Sequence, residues 1–308
     1  MGDSDPAVRL DLFLKARIPR LSRRRIQQAI ETRVELPGHG ASKPSTILRP
    51  GDTVIVRRAI PPDEEEPEAR VPVLHRDEEI LVVDKPAGLL AHPSNNVRKA
   101  SLSYLLAREI DGPIHLVHRL DRETSGLMVI ARSTEAARDL SRQVADASGG
   151  MSKSYLAILF GELRVSEGTI DLPIGKALRS AVYVKRGVNT DAGRVSLTRF
   201  RVERSGGGFS LVRAWLRTGR RHQIRVHFAA IGHPVVGDKL YGPAESHYLR
   251  FIASGFDEAM RRELLTERQM LHAADLEFRH PRDGRCMTFS APLPEDMRET
   301  LRSIGLDR

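Results

Sequence analysis

The chain has 308 residues, 49 basic against 40 acidic side chains, a net charge of +9 and a hydrophobic content of 40%. That length is a soft prior for two domains, and the apolar fraction is enough to bury a real core. The single cysteine, Cys286, excludes a disulfide framework and multi-cysteine metal sites, and no apolar run nears the roughly 18 residues of a membrane helix. A soluble protein of the reducing cytoplasm is therefore expected, without a secretory leader or a membrane role.

The basic residues are 41 Arg and 8 Lys. Arginine pairs two-pronged with phosphate and stacks on bases, so the bias leans toward nucleic acid, although a GC-rich genome also inflates arginine. The charge is uneven. Residues 1–60 hold 12 basic and 6 acidic side chains, which is +6 of the +9.

In chain order, Leu10-Asp11-Leu12-Phe13-Leu14 opens a short amphipathic helix that Pro19 stops. Ser22 caps a second helix whose apolar stripe is Ile26, Ala29 and Ile30. Arg23, Arg24 and Arg25 sit in its first turn, where the helix dipole disfavours cations, so an anion is expected beside them. A turn at Pro37-Gly38, another at Pro50-Gly51-Asp52 and a strand over Thr53–Val56 complete a small basic α+β domain, residues 1–60. These tracts, with Arg9–Leu14, Leu21–Gln27 and Leu48–Asp52, resemble the S-four type RNA-binding domain. The segment Glu35–Gly40 departs from that family's tighter turn. Residues 61–70, rich in Pro and Glu, read as an acidic linker.

From about residue 71 short strands alternate irregularly with helices. Strands are expected at Ile80–Val83, Leu116–Val117, Leu127–Ile130, Tyr155–Phe160, Phe209–Leu216, Ala274–Phe278 and Met287–Phe289. Helices are expected at 101–109, 134–146, 220–231 and 295–304. Without regular strand–helix alternation a doubly wound sheet is disfavoured. The expected class is α+β, with a mixed, largely antiparallel sheet flanked by helices in one domain over 71–308.

Two polar tracts stand out. His118–Gly126 packs a His, two arginines, two carboxylates and a Thr-Ser-Gly turn between two apolar strands, a common place for active residues. Its bland alternative is a charged hairpin loop. In Arg217–Phe228, the residues Ile224, Phe228 and Ile231 make one buried helix face, flanked by Arg221 and Arg225. A guanidinium at the edge of a buried stripe is costly unless a carboxylate or phosphate meets it, and the Asp121 loop offers a carboxylate. The alternative is a snorkelling basic helix. His222 and His227 are five apart, a spacing that does not align two metal ligands on one helix face.

Both tracts resemble the RluA family of RNA pseudouridine synthases, as do Asp84–Gly88, Lys153–Ala157, Gly232–Asp238 and Arg268–Ala273, in the family's order over about residues 71–294. The resemblance implies the pseudouridine synthase fold and an isomerisation of uridine in RNA that needs no cofactor or metal. Asp121 becomes the catalytic carboxylate, whether it attacks the sugar, attacks the uracil or abstracts a ribose proton. Arg225 becomes its ion-pair partner, and Arg221 a substrate-binding neighbour. Tyr155 offers the flipped uracil a flat face and a hydroxyl, and Ile224 closes the pocket over the base. Arg119 fills the space a flipped base vacates or binds a phosphate. His118 is expected to make a structural hydrogen bond. The expected partner is RNA, foremost large-subunit ribosomal RNA with transfer RNA as the alternative, met by a monomer. The competing readings are a non-catalytic RNA-binding or ribosome-assembly factor, and a carboxylate-based RNA glycosidase that releases uracil.

Overall fold

The computed structural model describes residues 7–18, 22–39, 42–56, 67–94, 97–146 and 150–307. The expected helix stop at Pro19 and the core of the expected linker, residues 61–66, lie outside them. The chain divides into two compact units, Met1–Asp63 and Glu64–Arg308.

The first unit contains β1 (Val8–Arg9), α1 (Leu10–Arg17), α2 (Arg23–Arg33), β2 (Val34–Glu35), β3 (Ile47–Leu48) and β4 (Ile55–Val56). Strand β1 pairs with β3 and β2 with β4, both antiparallel. Leu10 and Leu14 of α1 meet Ile26 and Ile30 of α2 over Val34, Leu36 and Leu48, so the apolar stripe read from spacing is this unit's core. Asp11 is fully buried among them. Arg9 Nε donates to its Oδ1 at 3.0 Å and Arg23 Nη2 to its Oδ2 at 2.9 Å. The bonds from Arg9 and then Arg23 outweigh the burial that opposes ionisation, and hold the Asp11 carboxyl down at about 2.

The second unit is built on a ten-stranded sheet. Its elements are β5 (Val73–Arg76), β6 (Ile80–Lys85), α3 (Leu102–Glu109), β7 (His115–Leu116), β8 (Ser125–Ala131), α4 (Thr134–Ala145), β9 (Ser152–Phe160) and β10 (Glu167–Asp171). Then follow β11 (Ile174–Lys176), β12 (Arg186–Val188), β13 (Leu197–Gly206), β14 (Phe209–Leu216) and α5 (Gln223–Ala230). The chain closes with α6 (Ser246–Ser254), α7 (Glu258–Leu264), β15 (Leu271–Arg279), β16 (Cys286–Ser290) and α8 (Glu295–Ser303). The sheet runs β10-β13-β14-β9-β15-β8-β6-β5, with β7 added beside β8 and β16 beside β15. Every pairing among the described strands is antiparallel except β15 with β8. The fold is thus the mixed, largely antiparallel α+β architecture that the sequence predicts.

Helices cover both faces. On one, Leu81, Val83, Met128 and Ile130 pack against Leu102 and Leu106 of α3, and Ala157 and Val212 against Ile224 and Phe228 of α5. On the other, Val82 and Val129 meet Leu140 of α4, while Ile158 and Leu211 meet Met297 and Leu301 of α8. Strands buried on both faces need continuous apolar sequence, which is why Ile80-Leu81-Val82-Val83 and Leu127-Met128-Val129-Ile130 lack polar alternation. Helices α6 and α7, the hairpin β11–β12 and strands β5, β10 and β13 are additions to the expected elements. Along β13 the exposed Arg199, Arg201 and Glu203 alternate with Thr198, Phe200 and Val202, the two-residue period of a strand with one covered face.

The parallel join fixes the start of β8. Ser125 pairs with His272 and Gly126 with Ala273, while Ala273 pairs on its other side with Tyr155 of β9. Gly126 has φ +111°, and a Cβ there would run into the Ala273 carbonyl. Just before it, the turn Asp121–Thr124 closes with Thr124 N donating to Asp121 O at 3.2 Å. Lys85, fully buried, donates Nζ to the carbonyls of Pro86 (2.8 Å), Leu89 (3.0 Å) and Arg122 (3.3 Å), tying the end of β6 to this turn. Gly88 N also donates to Arg122 O at 2.8 Å. From the other side Gln269 Nε2 donates to Thr124 Oγ1 at 2.7 Å, and Glu123 pairs with Lys239 at 2.8 Å.

Gly126→Ala is expected to lower stability by about 2–4 kcal/mol, through left-handed strain and a clash that only backbone movement relieves. Urea melts of variant and parent measure it. Lys85 offers a second check. Burial, and then the Arg268 charge, push its pKa down from 10.5 to about 7. Between those values the unfolded chain binds the extra proton, so stability rises with pH across the window. The stability of the parent relative to Lys85→Met should therefore climb from about pH 7 to pH 10 in melts at stepped pH.

Candidate active site

Asp121 stands in the turn between β7 and β8, with one fifth of its side chain exposed. Arg225, from the first turns of α5, donates Nη1 to Asp121 Oδ2 at 2.8 Å. The same guanidinium turns its other edge to Asp238. Nε donates to Oδ2 at 2.6 Å and Nη2 to Oδ1 at 2.8 Å. Asp238 is fully buried, and its Oδ1 also accepts from the backbone N–H groups of Leu240 (2.9 Å) and Tyr241 (3.0 Å). The Tyr241 ring lies under Arg225, with Cζ 4.9 Å from its centroid.

Burial opposes ionisation of Asp121, but the charge of Arg225, with help from His222 and Arg119, holds its pKa below the ordinary carboxylate value. The same balance depresses Asp238. Burial also works against the Arg225 cation, and the two carboxylates more than compensate, leaving it raised. An ion triad in this position is neither a surface bridge of marginal worth nor an unpaired buried charge costing several kcal/mol.

The residues singled out by sequence line two adjoining cavities. One, of about 310 Å³, has Arg119, Asp121, Arg221 and Arg225 on its wall. A smaller one, of about 60 Å³, joins Arg119 and Asp121 to Tyr155, Ile224 and Arg225. A roomier hollow of about 740 Å³ lies at the Glu123–Lys239 pair and includes neither Asp121 nor Arg225. Tyr155 reaches the site because β9 places it in register with Ala273, next to Gly126, where small residues leave its ring room. Burial, and then the Asp121 charge, raise its pKa, so its hydroxyl keeps its proton at neutral pH. Arg119 is exposed and without a partner among the described residues. Arg221 is exposed too, its Nε donating to His222 Nε2 at 3.4 Å. His118 Nε2 accepts the Val129 N–H at 3.1 Å, serving β8 where β7 has ended.

Sequence reasoning misses Asp238, Tyr241 and His222. Asp238 belongs to a matched tract without an assigned role, because nothing in a linear chain shows that it would grip Arg225 from across a turn. Tyr241, three residues on, reads as an ordinary core aromatic. His222 adopts the left-handed backbone (φ 61°), a strained state for a residue with a Cβ. Its Nδ1 shares a hydrogen bond of 2.8 Å with the Tyr241 hydroxyl, and its Nε2 stands 3.7 Å from Asp121 Oδ1. Burial pushes its pKa down to about 4, so the ring is neutral near pH 7.

In the first unit, Arg23 is bound to Asp11, so for this residue the anion expected at the helix start is a carboxylate of its own unit. Arg24 is exposed. The Arg25 side chain lies outside the described residues. No group of three or more His, Cys, Asp or Glu side chains suited to a metal is found among the described residues, nor any helix long and apolar enough to cross a membrane.

Comparison with known proteins bears on this arrangement. The family model described as RNA pseudouridylate synthase matches residues 79–230. The ribosomal large subunit pseudouridine synthase D of Xanthomonas campestris pv. campestris is 36% identical, covering 99% of this chain and 91% of its own. An uncharacterized RNA pseudouridine synthase of Chloroflexus aurantiacus is 38% identical, covering 97% and 90%. Among solved structures, human RNA pseudouridylate synthase domain containing 1 superposes with a TM-score of 0.58 at 27% identity, covering 78% of this chain and 98% of its own. Human RNA pseudouridylate synthase domain containing 4 gives 0.59 at 25%, covering 76% and 93%. With the ionised Asp121 and its guanidinium partner inside the matched region, and with similarity running almost from end to end, the chain belongs to the RNA pseudouridylate synthase family.

Proposed function

We propose that this protein isomerises uridines of large-subunit ribosomal RNA to pseudouridine, with Asp121 as the catalytic carboxylate and the first unit as an S-four type RNA grip. The observation that carries the catalytic assignment is Asp121 at a cavity wall, with Oδ2 tied to Arg225 and Oδ1 approached among the described side chains by His222 Nε2 alone, at 3.7 Å, beyond hydrogen-bond reach. The substrate assignment rests on relatives named for the large ribosomal subunit. Transfer RNA is the alternative target.

The isomerisation breaks the glycosidic carbon–nitrogen bond and forms a bond from the same ribose carbon to carbon-5 of the base, while carbon-5 gives up its proton to solvent and the freed N1 takes one up. Nothing is oxidised and no water is consumed. A uridine in a stem must leave the stack to reach Asp121. Arg119, exposed at the cavity edge, suits the space left behind or a phosphate beside it. Tyr155, protonated, offers a neutral ring and a donor rather than a base. Ile224 closes the smaller cavity from α5. Asp121 Oδ1 is the oxygen left for the substrate.

Asp121→Asn should cut pseudouridine formation on the order of 10⁴-fold, measured by tritium release from carbon-5 of labelled uridine, with RNA affinity held within about three-fold. Near-parental turnover would remove Asp121 from the mechanism. Free uracil in the chromatogram of the parent reaction would instead indicate a glycosidase, and RNA binding without either product a non-catalytic factor. Deletion of residues 1–63 should weaken RNA binding and flatten its salt dependence by about 0.7–0.9 in slope for each phosphate that is no longer neutralised. Equal slopes for the full chain and the deletion would take the RNA grip away from the first unit.

A further inference from the structure

Four side chains line both cavities at Asp121, namely Arg119, Asp121, Arg225 and His222. The first three have a part in the proposed reaction, and His222 has none. Its placement is nevertheless tightly specified. The turn before α5 is folded around Gln223, whose Oε1 accepts from Thr218 Oγ1 (2.8 Å) and Arg220 N (3.0 Å). Gln223 Nε2 donates to Leu197 O and to Thr198 Oγ1, both at 3.0 Å. This anchorage holds His222 in its left-handed backbone (φ 61°) at the start of the helix, where its carbonyl accepts the Val226 N–H at 2.9 Å. Strain of this kind persists only where the surroundings over-determine it, and at functional sites it aims a side chain.

The two ring nitrogens differ in their surroundings. Nδ1 shares its 2.8 Å hydrogen bond with the Tyr241 hydroxyl, which also accepts from Arg186 N at 2.9 Å. The Tyr241 ring stands edge-on to the imidazole, 5.6 Å between centroids, and fixes its plane. Nε2 is the nitrogen on the Asp121 side. It has Arg221 Nε at 3.4 Å, the far limit of a hydrogen bond, and Asp121 Oδ1 at 3.7 Å. A nitrogen so placed is left for a substrate group that lies beside Oδ1.

When Oδ1 acts at the ribose, on carbon-1′ or on the proton of carbon-2′, the reacting atom lies within about 3–3.5 Å of it. The 2′-oxygen is one bond from carbon-2′ and two from carbon-1′, which puts it in reach of a nitrogen 3.7 Å from Oδ1. Burial keeps the imidazole neutral near pH 7, its pKa pushed down to about 4, and a neutral ring suits a hydroxyl rather than a phosphate. A hydroxyl also gives or takes the hydrogen bond as the ring tautomer requires. We propose that His222 Nε2 hydrogen-bonds the 2′-hydroxyl of the reacting uridine and makes the site select ribose over 2′-deoxyribose. This rests on the reading of the protein as an RNA uridine isomerase in which Asp121 acts at the sugar, and it adds the residue that senses which sugar is present. The 2′-hydroxyl is the group by which a protein tells RNA from DNA at a given site.

For the test, the uridine that the parent converts in an unmodified transcript of bacterial large-subunit ribosomal RNA is located. A synthetic fragment around it is made with ribose or with 2′-deoxyribose at that one position. Product is quantified by chromatography of the digested fragment, and the ribose-to-deoxyribose ratio of kcat/KM is taken for each protein. His222→Asn suits the left-handed backbone and keeps an amide near the Nδ1 position, but does not reach the Nε2 position. His222→Gln puts an amide there. The ratio should fall about 10- to 100-fold from the parent to His222→Asn, the loss of one hydrogen bond in a closed site, and His222→Gln should recover part of it. A misfolded fraction lowers both rates alike and leaves the ratio untouched. Equal ratios in the parent and His222→Asn, or a glutamine variant no better than asparagine, overturn the proposal. A purely structural His222, or one that contacts the base or the ring oxygen, gives equal ratios. A parent that binds the transcript and converts none of its uridines defeats the isomerase reading instead, and the ratio of Kd values for transcripts made with uridine or 2′-deoxyuridine then decides the hydroxyl contact.

Discussion

Arg225 is the one side chain on which the site's geometry and its charge state both depend. A guanidinium has two edges, and here they are divided unequally. Asp238 takes the two-pronged edge and Asp121 a single N–H. The inequality has a chemical consequence. A two-pronged pair with Asp121 would hold both of its oxygens, orienting the carboxylate but blocking it. With Asp238 anchoring the cation from behind, Asp121 is kept ionised while Oδ1 remains open. Asp238 in turn is fixed by the N–H groups of Leu240 and Tyr241, after a turn where Gly237 (φ +77°) leaves no room for a Cβ against the Arg268 carbonyl. The Asp121 carboxylate is thus aimed by a chain of contacts that ends in backbone.

The sheet supplies the other half of the alignment. Asp121 precedes β8 and Tyr155 belongs to β9, and β15 lies between them, parallel to one and antiparallel to the other. A short parallel pairing contributes few hydrogen bonds, so the turn before β8 is secured from outside the sheet. Lys85 and Gly88 hold it from β6 and the loop beyond, and Gln269 and Lys239 from the opposite side. Burying an amine for this purpose is costly, as its lowered pKa records, and the three carbonyls it meets offset part of that cost. Such a clamp stiffens the turn that carries Asp121.

How much of this the sequence discloses depends on the distance over which each feature is decided. Local features are legible. Apolar runs locate β6 and β8, and the polar run between two strands marks the Asp121 turn. Spacing finds Ile224 and Phe228 of α5 but errs on Ile231, which is exposed just past the helix end, because α5 is buried on several sides rather than along one stripe. The ion pair between Asp121 and Arg225 is also legible, because a guanidinium beside a buried stripe demands an anion and a nearby tract offers one. What is not legible is the division of Arg225 between two carboxylates, since Asp238 reads alone as a residue of a Gly-Asp turn. His222 hides for a similar reason. Its strained backbone and its place between Tyr241 and Asp121 exist only after folding. The arginine triplet of α2 shows the converse, because a sequence pattern that asks for an anion cannot say whose. For Arg23 the answer is the buried Asp11 of the same unit.

That last point changes the meaning of the charge distribution. Two thirds of the net excess lies in residues 1–60, yet part of it neutralises an internal carboxylate, and contacts to phosphate carry no base information in any case. As the proposed RNA grip, such a basic unit would raise affinity for RNA in general, and the salt dependence of binding would report how many phosphates it meets. In the proposed reaction, selection of one uridine has to come from groups that sense nucleotides while the base is in the cavity. Those groups must be mounted on the framework that fixes Asp121, or a bound sequence would not register with the carboxylate. Among the described cationic segments, the β11–β12 hairpin meets this condition through Tyr241 and Glu245, because the Tyr241 backbone N–H also fixes Asp238 behind Arg225. The seating of the hairpin and the ionisation of Asp121 are thus set by one short stretch of chain.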